Sequence, residues 1–318
     1  MKNIRSNSSI VVRKKTKILA RIIVLFLFVS LVFISVYVVS KIIIRKNNSS
    51  VPTNASIISL WNKSEYEEVY TKSGILLDGN SFNGTALFYR GLSSFYLAVS
   101  QTETSAAQSY LDESINNLRI ALHTADKNLQ PQISYILGKA YFQRNLFSSY
   151  HYYADLAVLY LENAIALGYE SADIPEYLGL SYANLGMTQQ SIEAFTNALL
   201  VRESDILLLA IAQQYMISLN VETAKQYLFK VAKESSNDIL ILRSKLLLAQ
   251  IYFEEKRYAE AAQEYMSILE KDPDYADAYY GLGLIYEKEG DSAKARAEWR
   301  NVLKIQVNHQ GAINKLGL

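Results

Sequence analysis

The chain contains no cysteine. That excludes disulfides, a thiol nucleophile, a zinc–thiolate site and a lipid-modified cysteine after signal cleavage. An oxidising compartment is compatible with this absence but is not required by it. Histidine is scarce too. His123, His151 and His309 are the only three, and none stands at metal-ligand spacing from another histidine or a carboxylate. There is no Gly-rich phosphate loop and no G-x-S-x-G, so the glycines are free to serve packing. Paired acids such as Glu67-Glu68 and Glu254-Glu255 read as solvated helix faces. From these absences we expect no enzyme, and we assign no catalytic, cofactor-binding or metal residue.

Acidic residues are missing from one end. Residues 1–46 hold ten Lys or Arg and no Asp or Glu, whereas residues 47–318 hold 22 basic against 31 acidic groups, a net of −9. The body therefore lacks the basic face that phosphate binding needs, and no nucleic-acid role is expected.

Within the basic end lies an uncharged run, residues 22–40, interrupted only by Ser30, Ser35 and Tyr37 among polar side chains. As a helix it spans about 28 Å, close to the hydrocarbon core of a bilayer. The run lacks the polar face of a buried core helix. It is also longer than the apolar region of most cleaved signal peptides, with only Val38-Val39-Ser40 resembling a cleavage site. We read it as an uncleaved transmembrane signal anchor. Seven basic residues precede it (Lys2, Arg5, Arg13, Lys14, Lys15, Lys17, Arg21) and three follow (Lys41, Arg45, Lys46). That bias places residues 1–21 in the cytoplasm and the body on the far side. Residues 41–53 form a short Asn/Ser-rich tether in which Pro52 discourages helix continuation.

Beyond the tether one spacing recurs six times: a small residue, Tyr three positions on, and a second small residue further along. The first small residues are Gly91, Gly138, Gly179, Ala212, Ala249 and Gly283, separated by 47, 41, 33, 37 and 34 residues. The tyrosines are Tyr141, Tyr182, Tyr215, Tyr252 and Tyr286, with Ser94 in the first copy. In the last copy Tyr279, Leu282, Gly283 and Tyr286 lie at i, i+3, i+4 and i+7, one helical face; Gly290-Asp291 then makes a turn, and Ala295, Trp299 and Val302 mark a second helix. A period near 34 built from two helices signals an all-α solenoid.

This pattern resembles the tetratricopeptide repeat family. Its aromatic, Leu-Gly, Tyr, then Ala and aromatic order is matched by Tyr279, Leu282-Gly283, Tyr286, Ala295 and Trp299. It is matched again by Leu248-Ala249, Tyr252, Ala261, Tyr265 and Pro273, though Lys245 departs from the aromatic. Weaker copies are Ile211-Ala212, Tyr215, Ala224 and Leu228, and Leu137-Gly138 with Tyr141. The resemblance covers residues 54–308, as one degenerate copy (Leu60–Asn80) and six further copies. It implies a right-handed solenoid, with residues 309–318 as a C-terminal cap. Two copies are stretched. Gly91 to Ser114 is 23 residues and Gly138 to Ala157 is 19, where the family has twelve. The first excess, residues 100–108, reads as a longer loop. The second holds Phe147, Tyr150, His151, Tyr152 and Tyr153, which either contact a ligand or cover neighbouring turns of a longer helix.

The resemblance also implies a concave groove lined by first-helix residues three before and one after the small position. These are Phe88 and Leu92, Tyr135 and Lys139, Glu176 and Leu180, Leu209 and Gln213, Leu246 and Gln250, and Tyr280 and Leu284. Phe88, Tyr135, Lys139, Glu176, Gln213, Gln250 and Tyr280 are the candidate partner-binding set; several of the leucines have repeat packing as their alternative use. The Lys/Asn/Arg grip with which some members hold a peptide carboxylate is absent, since Lys139 stands alone. The expected function is a membrane-anchored scaffold that docks protein or peptide partners on the extracytoplasmic side of a bacterial inner membrane. Left open beside it are a non-catalytic subunit of an envelope enzyme and a cytosol-facing chaperone-docking or import receptor.

Overall fold

The computed structural model describes residues 52–148 and 153–318. Among these residues the chain is helical with no strand, and it divides into one compact unit ending at Ser81 and another running Phe82–Leu318. The apolar run 22–40 lies outside the described residues, and among those described no helix is long and apolar enough to cross a membrane.

In the first unit, α1 (Asn54–Trp61) and α2 (Tyr66–Gly79) form a helical hairpin with a short first helix. Thr53 caps α1 reciprocally with Ser56, each side chain satisfying the other's backbone N–H. Ile57, Val69 and Ser73 are buried.

The second unit stacks six helix pairs: α3 (Gly84–Ser100) with α4 (Thr104–Thr124), α5 (Gln130–Leu146) with α6 (Ala154–Ala166), α7 (Ile174–Asn184) with α8 (Thr188–Val201), α9 (Asp205–Ile217) with α10 (Val221–Glu234), α11 (Asp238–Glu254) with α12 (Tyr258–Lys271), and α13 (Ala276–Glu289) with α14 (Ser292–Ile305). A short helix, α15 (Gln310–Leu316), closes the stack by laying Ala312 and Leu316 against Ala295, Trp299 and Val302.

The recurring small residues are where the paired helices meet. A Cβ on Gly179 would stand 2.5 Å from the Phe195 ring, one on Gly283 2.3 Å from Trp299, one on Gly138 2.6 Å from Leu161 and one on Gly91 2.6 Å from Leu118. Only a missing side chain lets the second-helix residue lie flat on the first helix. Where the small residue is Ser in the second helix it adds a bond: Ser114 Oγ donates to the Gly91 carbonyl at 2.7 Å and Ser191 Oγ to the Gly179 carbonyl at 2.8 Å.

The stretched first copy is not a longer loop. Only residues 101–103 separate α3 from α4, and the excess is helix. Ala107, Leu111, Ile115 and Leu118 recur at helical spacing and are all buried, so the added turns of α4 extend its apolar face. In the second copy, α5 is itself long at 17 residues.

The turn inside a pair falls seven residues after the small position. Its left-handed residue is Gly186 (φ 70°) or Gly290 (φ 84°) in two copies, but Leu219 (φ 61°) and Lys256 (φ 63°) in the two between them. A side chain in that conformation is strained, whereas glycine is not.

Candidate functional site

The structure sorts the expected groove residues into three kinds. Phe88, Leu92, Leu209 and Tyr135 are buried. They are core side chains, and their assignment to an open groove is corrected: at these positions the first helix is covered by its neighbours.

Lys139 is the second kind, a cation already engaged. Its Nζ donates to Asp173 Oδ2 at 2.8 Å and to the Tyr135 hydroxyl at 3.0 Å, and lies 4.9 Å from the Tyr177 ring centre, 5.0 Å from Tyr135 and 5.8 Å from Phe95. The Tyr135 hydroxyl and Ser171 Oγ also donate to Asp173. Burial pushes the Asp173 carboxyl upward, but hydrogen bonds from Lys139, Ser171 and Tyr135 outweigh it and hold the carboxyl below its ordinary value. Burial likewise acts downward on Lys139, and the bonds to Asp173 and Tyr135 reverse it, leaving its pKa raised. Lys139 therefore closes a half-buried ion pair in an aromatic box, its charge already compensated within the protein. Glu176 is half-buried with Arg202 Nη2 at 3.7 Å, and Gln213 is half-buried.

Gln250 and Tyr280 are the third kind. With Leu284 they line a cleft of about 880 Å³. Its other walls come from chain segments the sequence pattern did not bring together: Met216, Leu219 and Val221 around the α9–α10 turn, Phe253 and Glu254 ending α11, Asp277 beginning α13, and His309. Gly281 lies in the wall where any Cβ would overlap the Tyr265 ring at 2.1 Å. A leucine at a position that two sister repeats fill with glycine was the signal available in the sequence.

The cleft is apolar on its floor and acidic at its edge. Glu255 is compensated, its oxygens 2.8 Å from Lys225 Nζ and 3.2 Å from Arg257 Nη1; the Lys225 hydrogen bond is the main cause of its lowered pKa. Glu254 has no hydrogen-bond or ion-pair partner among the described residues, and Asp277 faces only His309 Nε2, at 3.5 Å. His309 Nδ1 accepts from the Ala312 N–H at 3.1 Å, which leaves the proton on Nε2, toward Asp277. Tyr265 is pushed up to about 12, first by burial and then by the Asp277 and Glu254 charges. Among the described residues no group of three or more His, Asp or Glu side chains is placed to hold a metal ion.

Of the aromatic patch, Tyr150, His151 and Tyr152 lie outside the described residues. Tyr153 stacks on Tyr141, ring centres 6.1 Å apart, beneath the Arg144 guanidinium at 5.3 Å. It packs on its own repeat.

Comparison with known proteins bears on the repeats. The family described as "TPR repeat" matches residues 249–290, and "Tetratricopeptide repeat" matches residues 276–308. Among solved structures, the C-terminal part of a TPR repeat-containing protein from Cytophaga hutchinsonii is similar with a TM-score of 0.59 at 15% identity, over 84% of this chain and 100% of that one. YrrB, described as a TPR protein with an unusual peptide-binding site, aligns with a TM-score of 0.44 at 21% identity over 60% of this chain and 97% of its own. No curated protein matches the sequence. The chain thus carries tetratricopeptide repeats, in an all-α fold shared with known repeat solenoids.

Proposed function

We propose that this tetratricopeptide-repeat chain is a non-catalytic scaffold that docks segments of partner proteins in the cleft between Leu219 and His309. Tetratricopeptide-repeat proteins generally mediate protein–protein interactions. The observation that carries the reading here is the cleft itself. It is the place where two residues of the expected partner-binding set, Gln250 and Tyr280, stand beside open apolar surface from Met216, Leu219 and Leu284. In the same reading, residues 22–40 anchor the chain in a bacterial inner membrane with the repeats on the extracytoplasmic side. The charge imbalance around that run supports this sidedness, and anchoring raises the effective concentration of partners confined to the same membrane.

A photo-crosslinking residue at Gln250, in the full chain expressed in cells, tests docking against the same residue at exposed Glu270. Adducts to discrete proteins from position 250 alone are the expected result; none, or the same set from both positions, would sink the reading. Sidedness is read separately. Ser236→Cys gives one exposed thiol in a chain that has none, and a membrane-impermeant maleimide should label it in spheroplasts before lysis. Labelling only after lysis would put the repeats in the cytosol and favour a docking receptor there.

A further inference from the structure

We infer that the occupant of this cleft is a partner segment carrying Lys or Arg between aliphatic side chains, its cation seated at Asp277 and Glu254 and its aliphatic groups on Leu219 and Leu284. The inference rests on the scaffold reading and adds the chemistry of the ligand.

Charge complementarity is the first argument. Some of the chain's carboxylates are neutralised by ion pairs within the protein, as Glu113 is by Arg90, Asp173 by Lys139 and Glu287 by Lys315. The cleft lining is acidic, with Glu254, Glu255 and Asp277, and only Glu255 is neutralised in this way. Glu254 and Asp277 have no Lys or Arg partner among the described residues, and no Lys or Arg lines the cavity. Two such carboxylates beside a low-dielectric floor attract a cation and repel an anion more strongly than they would in open water. A carboxylate-bearing segment therefore has no seat here.

Leu219 is the second argument. It is 84% exposed and holds a left-handed backbone (φ 61°), while Gly186, Gly290 and the polar Lys256 fill the equivalent turns. For folding alone, glycine removes both the backbone strain and the exposed apolar surface. A leucine kept in a strained turn at a cleft mouth gains its burial from something that arrives. Met216, Val221 and Leu284 continue the same apolar surface inward.

The test uses the full chain in detergent micelles and two fluorescent decapeptides. Each has two leucines in a Gly/Ser background, one with two lysines and the other with two glutamates in their place. At about 50 mM salt the lysine peptide should bind about tenfold more tightly than the glutamate peptide, and the contrast should shrink at about 500 mM. Glu254→Gln/Asp277→Asn should reduce the contrast to about twofold with an unchanged melting temperature, since neither side chain supports the fold through an ion pair to Lys or Arg. Leu219→Gly should weaken both peptides alike. Equal binding of the two peptides, or a contrast that survives the double variant, overturns the cationic assignment. If crosslinks at position 250 persist in that case, the scaffold reading stands; if they are lost too, both fail. Self-association of the chain that the lysine peptide disrupts would reassign the occupant to a second copy and overturn the choice of a separate partner.

Discussion

Lys139 on α5 reaches Asp173, at the start of α7, with its Nζ 2.8 Å from Oδ2 and the Tyr135 hydroxyl bonded to both. The contact ties the second helix pair to the third. Substituting Asp173→Asn leaves a mostly buried ammonium with its charge uncompensated and should cost about 1–3 kcal/mol. Lys139→Met/Asp173→Asn should recover part of that loss. Denaturant midpoints of the two single variants and the double variant check this, and additive losses would show that the pair is not coupled.

The same pair sets an acid limit. Because the folded-state pKa of Asp173 is lowered from 3.8, its contribution to stability is fully present above that value and is lost as pH falls through the lower folded-state value. Wild type should therefore exceed Asp173→Asn in stability at pH 6, with the difference closing below pH 3.8. A difference that stayed constant from pH 6 to about pH 3 would contradict the linkage.

Gly179 has no room for a side chain, since its Cβ would meet Phe195 at 2.5 Å. Gly179→Leu should force α7 and α8 apart at a cost of about 1–3 kcal/mol or more, seen as a lowered melting temperature. An unchanged melting temperature would mean that the pairing of Gly179 with Phe195 is wrong.

At the intra-pair turns, Lys256→Gly should be neutral or stabilising by up to about 1 kcal/mol, because relief of the left-handed strain outweighs the extra freedom glycine gives the unfolded chain. Thermal melts of Lys256→Gly and Leu219→Gly should agree with each other. A clear loss of stability in either would show that its side chain supports the fold.

The pairing of helices could be read before any coordinate was seen, because it is local. Gly179 and Phe195, or Gly283 and Trp299, lie sixteen residues apart, and their contact repeats with each copy, so the amino-acid pattern records it directly. Gly91 and Leu118 escaped the family spacing because α3 and α4 are both longer, and a run such as residues 100–108 reads as loop until Ala107 and Leu111 are seen to be covered. Which first-helix residues face outward was not legible. Tyr135 and Tyr280 occupy the same repeat position, yet Tyr135 is buried while Tyr280 lines the cleft.

By itself, then, the sequence determined the all-α class, the copies in register, the small-residue contacts and the basic, apolar end at residues 1–46. Each of these depends on residue type within one period of the chain. Tertiary structure decided where a partner could be received. The cleft is assembled from the α9–α10 turn, α11, α13 and His309, segments up to 93 residues apart between Met216 and His309. Only stacking of successive helix pairs brings these side chains together, and only stacking settles which carboxylates find a cation inside the protein and which are left facing outward.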